Sequence, residues 1–217
     1  MFDYSNFMNL HEFDADSCTG KYHIPVILPG NAIPGRLIDF CHSLRSSRFS
    51  YGVHFFLDDC RFERIWRMPW RYIPHLRKFS VVFSPDFSLY TDMPSAMKIW
   101  NVYRSRLLGQ MMQRAGCRVI PSVSWAETAS YRYCFDGLPQ NSTVAVSTVD
   151  AIYSKECRKL FLKGFETMVK RLTPKKIIVY GKVPDEIKTG KYEIISFLST
   201  SLAWKCGHRG VSYKEKQ

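Results

Sequence analysis

The sequence lacks the long apolar runs that membranes and secretion require. No stretch approaches the roughly 20 apolar residues of a membrane-spanning helix. The N-terminus carries Asp3, Asp14 and Asp16 and has neither the basic start nor the apolar run of a secretory signal. We therefore expect a protein that does not enter a membrane and that works in the cytoplasm.

The common catalytic and cofactor motifs are also absent. The chain has no G-x-x-x-x-G-K-[ST], G-x-G-x-x-G, G-x-S-x-G or H-E-x-x-H, which removes support for P-loop, Rossmann, serine hydrolase and zincin chemistry. Its seven cysteines form no C-x-x-C pair, and only Cys206-Gly207-His208 approaches the close spacing of zinc ligands. We therefore predict free thiols in a reducing compartment.

What the chain has in excess is positive charge, and that charge is unevenly placed. The 217 residues include 31 Lys+Arg and 19 Asp+Glu, which gives a formal net charge of +12. Residues 1–59 hold four basic and seven acidic residues, so the whole excess lies in residues 60–217. Hydrophobic residues make up 46% of the chain, which is enough for the core of one ordinary domain.

Short β-branched or aromatic runs alternate with longer segments of helical period. The predicted strands are 24–28, 53–57, 79–83, 118–123, 143–147, 177–180 and 192–197. The predicted helices are 61–78, interrupted by Pro69 and Pro74, 94–115, and 155–172 after Ser154. Nearly continuous apolar strands between helices indicate a parallel sheet that is covered on both faces.

We therefore predict the α/β class, with a mostly parallel sheet in a partly barrel-like (βα) arrangement. An open doubly wound sheet is the alternative. We expect a single domain over residues 1–217, with an N-terminal arm at 1–20 and a basic tail at 205–217.

Carboxylates gather where the predicted strands end, which is where βα folds place function. The candidate catalytic residues are Asp58, Asp59, Asp86 and Asp136. Converging carboxylates can act as a general acid/base pair or hold Mg²⁺ or Mn²⁺ through oxygen ligands. The structural alternatives are a helix cap for one of Asp58 and Asp59, and a turn at Asp136-Gly137.

Arginines recur every three or four residues in the segment after the first of these carboxylates. Arg61, Arg64, Arg67 and Arg71 would form one basic stripe on a helix, where they can contact nucleic-acid phosphates. We add Arg104 from the long helix, and Trp125 as a ring on which a base can stack. The alternatives are a solvated outer helix face for the arginines and core packing for the tryptophan.

Six motifs in order resemble those of one known family. They are FFLDD at 55–59 with FERIW at 62–66, SPDFSLYTDMP at 84–94, IWNVYR at 99–104, VIPSVSW at 119–125, CFDGLP at 134–139 and VAVST at 144–148. Over about residues 20–185 the chain resembles domain-of-unknown-function family 4417 of bacterial phages, plasmids and integrated elements. The resemblance implies a mobile-element origin in a bacterial host cell, and the family supplies no reaction, cofactor or catalytic set.

Three functions follow from these patterns. The first is binding of DNA or RNA through the basic helical face. The second is a carboxylate-dependent hydrolase of phosphodiester or glycosidic bonds at the strand ends, with Mg²⁺ or Mn²⁺ as its candidate cofactor. The third, which the mobile-element resemblance suggests and no residue pattern indicates, is an inhibitor that binds a protein of the host's defence.

Overall fold

The computed structural model describes residues 7–149, 151, 154–188, 190–199 and 212–213 of the chain. The strands are β1 (Cys18–Thr19), β2 (Ile24–Pro25), β3 (Arg36–Asp39), β4 (Gly52–His54), β5 (Val81–Phe83), β6 (Val119–Ile120), β7 (Thr143–Ser147), β8 (Lys176–Tyr180), β9 (Glu193–Phe197) and β10 (Ser212–Tyr213). The α-helices are α1 (Phe40–Ser43), α2 (Asp59–Arg67), α3 (Pro69–Leu76), α4 (Ser95–Arg114) and α5 (Lys155–Leu172). Short 3₁₀ helices lie at Leu10–Glu12, Ala15–Ser17 and Thr128–Arg132.

Seven strands run parallel and follow one another in chain order. β3, β4, β5 and β6 form one parallel ladder, and β7, β8 and β9 form a second. A parallel bridge between Ser122 and Ala145 joins the two ladders between β6 and β7. β10 pairs antiparallel with β3 at the outer edge, and β1 and β2 form a separate hairpin.

The two faces of this sheet pack into different cores, because side chains alternate along each strand. One face supplies a cluster drawn from β3 and from β5 through β9, and it includes Leu37, Phe83, Ile120, Ile178 and Phe197. The opposite face packs against the helices in two further clusters. Since strands at both ends of the order share the first cluster, the sheet curls around it.

The α/β class and the mostly parallel sheet are confirmed. The strand order runs without the reversal that marks a doubly wound sheet. The curled, partly barrel-like arrangement that we predicted therefore describes the sheet, and the doubly wound alternative does not. Within the described residues no ladder joins β9 to β3 or β10, and the barrel stays open there.

Local signals in the sequence placed some elements closely and missed others. α5 begins after Ser154, whose side chain accepts a hydrogen bond from the backbone N–H of Cys157, as an N-cap does. The interruption predicted at Pro69 within 61–78 is present, because α2 ends at Arg67 and Pro69 starts α3, whereas Pro74 lies inside α3 and does not end it. β3 was not predicted at all, and the strand expected at 24–28 is only the two-residue β2.

Described residues at both ends of the chain contact the body of the fold. In the expected arm at 1–20, the described part packs against the body: Asn9 is buried and donates to the backbone carbonyl of Trp66, and Glu12 pairs with Arg114. In the expected tail at 205–217, Ser212 and Tyr213 pair with β3. Its other residues lie outside the described part of the chain, as does Cys206-Gly207-His208.

Candidate functional site

Asp58 and Asp59 stand where α2 begins, and they have different surroundings. Asp58 is the N-cap residue, is exposed and makes no side-chain capping hydrogen bond. Asp59 is half-buried and accepts hydrogen bonds from the backbone N–H and the hydroxyl of Ser88, the latter at 2.9 Å. The Asp59 carboxylate therefore ties α2 to the loop that follows β5.

Burial raises the pKa of Asp59 above its ordinary value. The hydrogen bonds from Ser88 and the charge of Arg104 oppose that rise, and the charge of Glu63 adds to it. A half-buried carboxyl group beside a second carboxylate is the arrangement that general acid catalysis uses. The same bonds to Ser88 also serve a structural role.

Asp86 and Asp136 are related through Arg106 of α4. The Arg106 side chain is buried, and the charges of Asp86 and Asp136 both act on it. Its guanidinium donates to the backbone carbonyls of Ser122, Cys134 and Asp136. Burial lowers the pKa of Arg106 to about 10, so the side chain remains charged at neutral pH.

Asp136 itself lies in a turn that is packed against the β1–β2 hairpin. Gly137 has a positive φ of 72°, and its carbonyl accepts a hydrogen bond from the backbone N–H of Ile27. Burial raises the pKa of Asp136, while Arg171 and Arg106 lower it. The turn expected at Asp136-Gly137 is therefore present, and the carboxylate is held inside it.

The contacts place Asp59 at Ser88, and Asp86 and Asp136 near Arg106, while the Asp58 side chain makes no capping hydrogen bond. Across the described residues, no three histidine, cysteine or acidic side chains come close enough to hold a metal ion together. The predicted catalytic roles of Asp58, Asp59, Asp86 and Asp136 stay predictions.

A buried polar cluster that the sequence pattern did not reveal lies at the carboxyl ends of β3, β4 and β8. Asp39 ends β3 and is 3% exposed, and His54 ends β4 and is 1% exposed. The His54 ring centroid lies 4.4 Å from that of Tyr180, which ends β8. The Asp39 carboxylate accepts from the backbone N–H of His42 and lies 2.5 Å from the His42 Nδ1.

The environment of His54 keeps its imidazole neutral. Burial lowers the pKa of His54 to about 4, against an opposing effect from Asp39. Its Nδ1 accepts a hydrogen bond from the backbone N–H of Phe56, so the ring proton is on Nε2. The sequence analysis missed Asp39 because it did not predict β3. The signal that could have revealed the cluster is that two neighbouring strands each end in a polar residue, Asp39 and His54.

The arginines of α2 and α3 lie on the surface. Arg61, Arg64, Arg67 and Arg71 are all exposed, and we call these four residues the arginine face. The first three belong to α2 and Arg71 to α3, so the single-helix stripe that we expected is divided between two helices. The Arg64 guanidinium lies over the rings of Phe40 and Tyr72 and so spans the junction of the two helices.

Both carboxylates of α2 are bound by residues from other segments. Asp59 accepts from Ser88, and Glu63 accepts two hydrogen bonds from Arg104 of α4 at 3.0 and 2.8 Å. The α3 sequence contains no acidic residue. Among the described residues, no carboxylate pairs with any member of the arginine face.

Two residues that were assigned to nucleic-acid binding point inward instead. Arg104 is 8% exposed, pairs with Glu63 and lies 3.9 Å from the Phe87 ring centroid, and Trp125 is 8% exposed and packs against Phe161. A Cβ at Gly164 would overlap the Trp125 indole, so α5 closes over that ring. Neither side chain presents the surface that we expected of it.

An exposed tryptophan lies among the arginines, and the sequence pattern did not single it out. Trp70 of α3 is 46% exposed and stands between Arg67 and Arg71 in the sequence. Its indole N–H donates to Glu12 at 2.9 Å, which holds the ring in one orientation. The helical period of residues 61–67 does not predict which way Trp70 points, because α3 begins at Pro69 as a separate helix.

Comparison with known proteins gives the chain its relatives. The family model described as "Domain of unknown function (DUF4417)" matches residues 16–198. The Gene 1 protein of Mycobacterium phage L5 is 38% identical over 168 residues, which cover 76% of this chain and 73% of that protein. The Gene 1 protein of Mycobacterium phage D29 is 37% identical over 168 residues, and the match spans 76% of this chain and 62% of that protein.

No solved structure matches the chain. Among the described residues, no helix combines the length and the apolar character that crossing a membrane requires.

Proposed function

Because the chain belongs to the DUF4417 family, which is described by no activity, we propose a function from its own surface: it binds nucleic acid through the arginine face. The observation that carries this proposal is the exposure of all four arginines together with the engagement of both nearby carboxylates elsewhere. The relatives come from phages, so we propose the cytoplasm of a bacterial host as the place of binding.

Arginine is the side chain best suited to this task. Its guanidinium offers five donors in a planar fork that matches a phosphate group. Each arginine that meets a phosphate releases condensed counterions, so binding weakens as salt rises. If carboxylates on the same surface paired with the arginines, binding to phosphate would depend little on salt. Here the two carboxylates of α2 are bound by Ser88 and Arg104 instead.

The exposed ring of Trp70 adds a second mode of contact. A base can stack on an indole in single-stranded nucleic acid, and such stacking is tolerant of sequence. Because Trp70 lies between two members of the arginine face along the chain, phosphate contact and stacking can occur on one strand. We therefore expect binding without strong sequence preference.

The triple variant Arg61→Gln, Arg67→Gln and Arg71→Gln tests this proposal. All three side chains are exposed, so their replacement should leave the fold intact. In a titration of labelled DNA and RNA over a salt series, we expect the slope of log affinity against log salt to fall by about 1 for each phosphate that an arginine no longer neutralises.

The matched control removes the same charge from another helix. Lys155, Lys159 and Lys163 of α5 are exposed, and their replacement by glutamine should leave most of the affinity and slope in place. If both triple variants lose the same affinity and the same salt slope, binding depends only on net charge, and the proposal is contradicted. Binding that is absent in the unchanged protein would do the same.

A second function, hydrolysis of phosphodiester or glycosidic bonds, is favoured by one observation: Asp59 is a half-buried carboxyl group with a raised pKa beside Glu63. Asp86, which is half-buried and follows β5, is the carboxylate that we assign to the other role at this edge. The two lie at the carboxyl ends of neighbouring strands β4 and β5, where βα enzymes hold their catalytic groups.

Asp86→Asn should abolish turnover if this second function exists. We expect a loss of about 100-fold or more in cleavage of nucleic acid or aryl glycosides, measured with and without Mg²⁺ and Mn²⁺. Asp92→Asn is the control, because Asp92 is exposed and is not the N-cap residue of α4, which is Pro94. Absence of any cleavage by the unchanged protein removes the hydrolase from consideration.

A further inference from the structure

The amino ends of β3 and β4 hold a cavity at the edge opposite to the carboxylates. Its volume is about 530 Å³, and its lining is Gly35, Arg36, Arg48, Ser50 and Tyr51. None of these five residues is acidic. Arg36 is the first residue of β3, and Tyr51 immediately precedes β4, so the parallel pairing of the two strands brings them together.

Two guanidinium groups converge on one phenol in this cavity. The Arg36 side chain donates to the Tyr51 hydroxyl at 3.0 Å, and the guanidinium carbons of Arg36 and Arg48 each lie 5.8 Å from the Tyr51 ring centroid. Tyr51 is buried, whereas Arg36 and Arg48 are exposed. The hydrogen bond from Arg36 lowers the pKa of Tyr51, which reflects the positive potential at this oxygen.

We propose that this cavity binds a phosphate monoester carried by a molecule of nucleotide size. The Arg48 guanidinium offers a bidentate fork for phosphate oxygens, Arg36 adds a second positive charge beside the Tyr51 hydroxyl to which it donates, and the Tyr51 and Ser50 hydroxyls supply further donors. A Cβ at Gly35 would meet no atom within 4 Å, so the space beside the arginines is open. The cavity is wide open to solvent and its volume exceeds what inorganic phosphate fills, so it has room for part of the molecule that carries the phosphate.

The ligand chemistry has two sources, a free nucleotide or the terminal phosphate of a nucleic-acid strand. The cavity is separate from the arginine face, because none of its lining residues belongs to α2 or α3. The same set of variants can therefore test ligand binding at the cavity and nucleic-acid binding at the arginine face independently.

Calorimetric titration of the full chain with AMP, adenosine and inorganic phosphate tests the proposal. We expect AMP to bind at least tenfold more tightly than adenosine, and Arg48→Gln to weaken AMP by about tenfold or more, since hydrogen bonds to charged groups are the strong ones. Tyr51→Phe should weaken it less, because the ring remains. Arg45→Gln is the matched control, since Arg45 is exposed in the same connection and does not line the cavity.

A second pair of probes separates the sources. If the ligand is a strand end, a short oligonucleotide with a 5′-phosphate should bind more tightly than AMP and than the same oligonucleotide with a 5′-hydroxyl, and Arg48→Gln should remove the difference between the two oligonucleotides. If the ligand is a free nucleotide, AMP should bind as tightly as the 5′-phosphorylated oligonucleotide. The triple variant of the arginine face should bind AMP normally. Equal binding of AMP and adenosine, or equal losses in the folded Arg48→Gln and Arg45→Gln proteins, overturns the proposal.

Discussion

Replacing Arg106 by methionine should lower the free energy of unfolding by about 3 kcal/mol or more. The Arg106 side chain is 3% exposed, and its guanidinium donates to the backbone carbonyls of Asp136, Ser122 and Cys134 at 3.3, 3.2 and 2.9 Å. Methionine fills similar space and donates no hydrogen bond. Each buried carbonyl left without a partner costs about 1–3 kcal/mol, while removal of the buried charge returns part of that loss.

Urea unfolding followed by circular dichroism measures this change through the transition midpoint. Arg118→Met is the control, because Arg118 is an exposed arginine just before β6 and its loss should change stability by no more than about 0.5 kcal/mol. If the two variants unfold at the same urea concentration, Arg106 does not hold the loop after β6 to α4.

Arg106 also illustrates what the sequence could not predict. Amphipathic period assigns lysine and arginine to the outer face of a helix. In α4, however, Lys98, Arg104 and Arg106 are all buried, and two of them meet carboxylates from distant segments, Glu127 and Glu63. Such partners are set by tertiary packing, so no local pattern reveals them, and Arg104 does not lie on the exposed basic face that we expected.

The elements that the sequence did predict are those with strong local signals. β7 and α5 were both placed at their observed bounds, because a short run of threonine and valine around Ala145 marks the strand and a serine N-cap marks the helix. β3 contains only two apolar residues, Leu37 and Ile38, between an arginine and an aspartate. Its assignment depends on pairing with β4, which local composition does not report.

The same distinction applies to the candidate sites. The sequence predicted that the aspartates lie near one edge of the sheet, because parallel strands end at the same edge. It could not pair Asp59 with Ser88, which lies 29 residues away, or distinguish an inward Trp125 from an outward Trp70. The basic cavity was missed because its two arginines flank β3 and β4 separately and meet only in the folded sheet.

The unfolding free energy should fall as pH drops from about 6.5 to about 4, and His54 should be the main cause. Burial lowers the pKa of His54 from 6.5 to about 4 in the folded chain. Between these values the unfolded state binds a proton that the folded state excludes, so stability is fully present above pH 6.5 and declines below it. Integrated over that interval, the loss is about 3 kcal/mol.

Asp39 continues the decline at lower pH. Burial raises its pKa, but the hydrogen bonds from His42 and the charges of His54 and His42 outweigh burial, and the pKa lies below the ordinary value of 3.8. Its contribution is therefore present above pH 3.8 and is lost as the pH falls through the lower folded value. Carboxylates with lowered pKa values, such as Asp39 and Glu127, lose their contribution below the region in which His54 acts. Asp59 and Asp136 have raised pKa values and act in the opposite direction, because the folded state takes up their protons first as the pH falls.

The variant His54→Phe isolates this effect, since phenylalanine keeps an aromatic ring beside Tyr180 and Phe56 and cannot take a proton. Urea unfolding at pH 7, 6 and 5 should show a decline for the unchanged protein that exceeds that of His54→Phe by about 2 kcal/mol at pH 5. His11→Gln, a change at a partly exposed histidine, should keep the full decline. Parallel curves for the unchanged protein and His54→Phe would mean that His54 accepts a proton in the folded chain as readily as in the unfolded one, and the closed polar cluster at the ends of β3, β4 and β8 would then have to open to water.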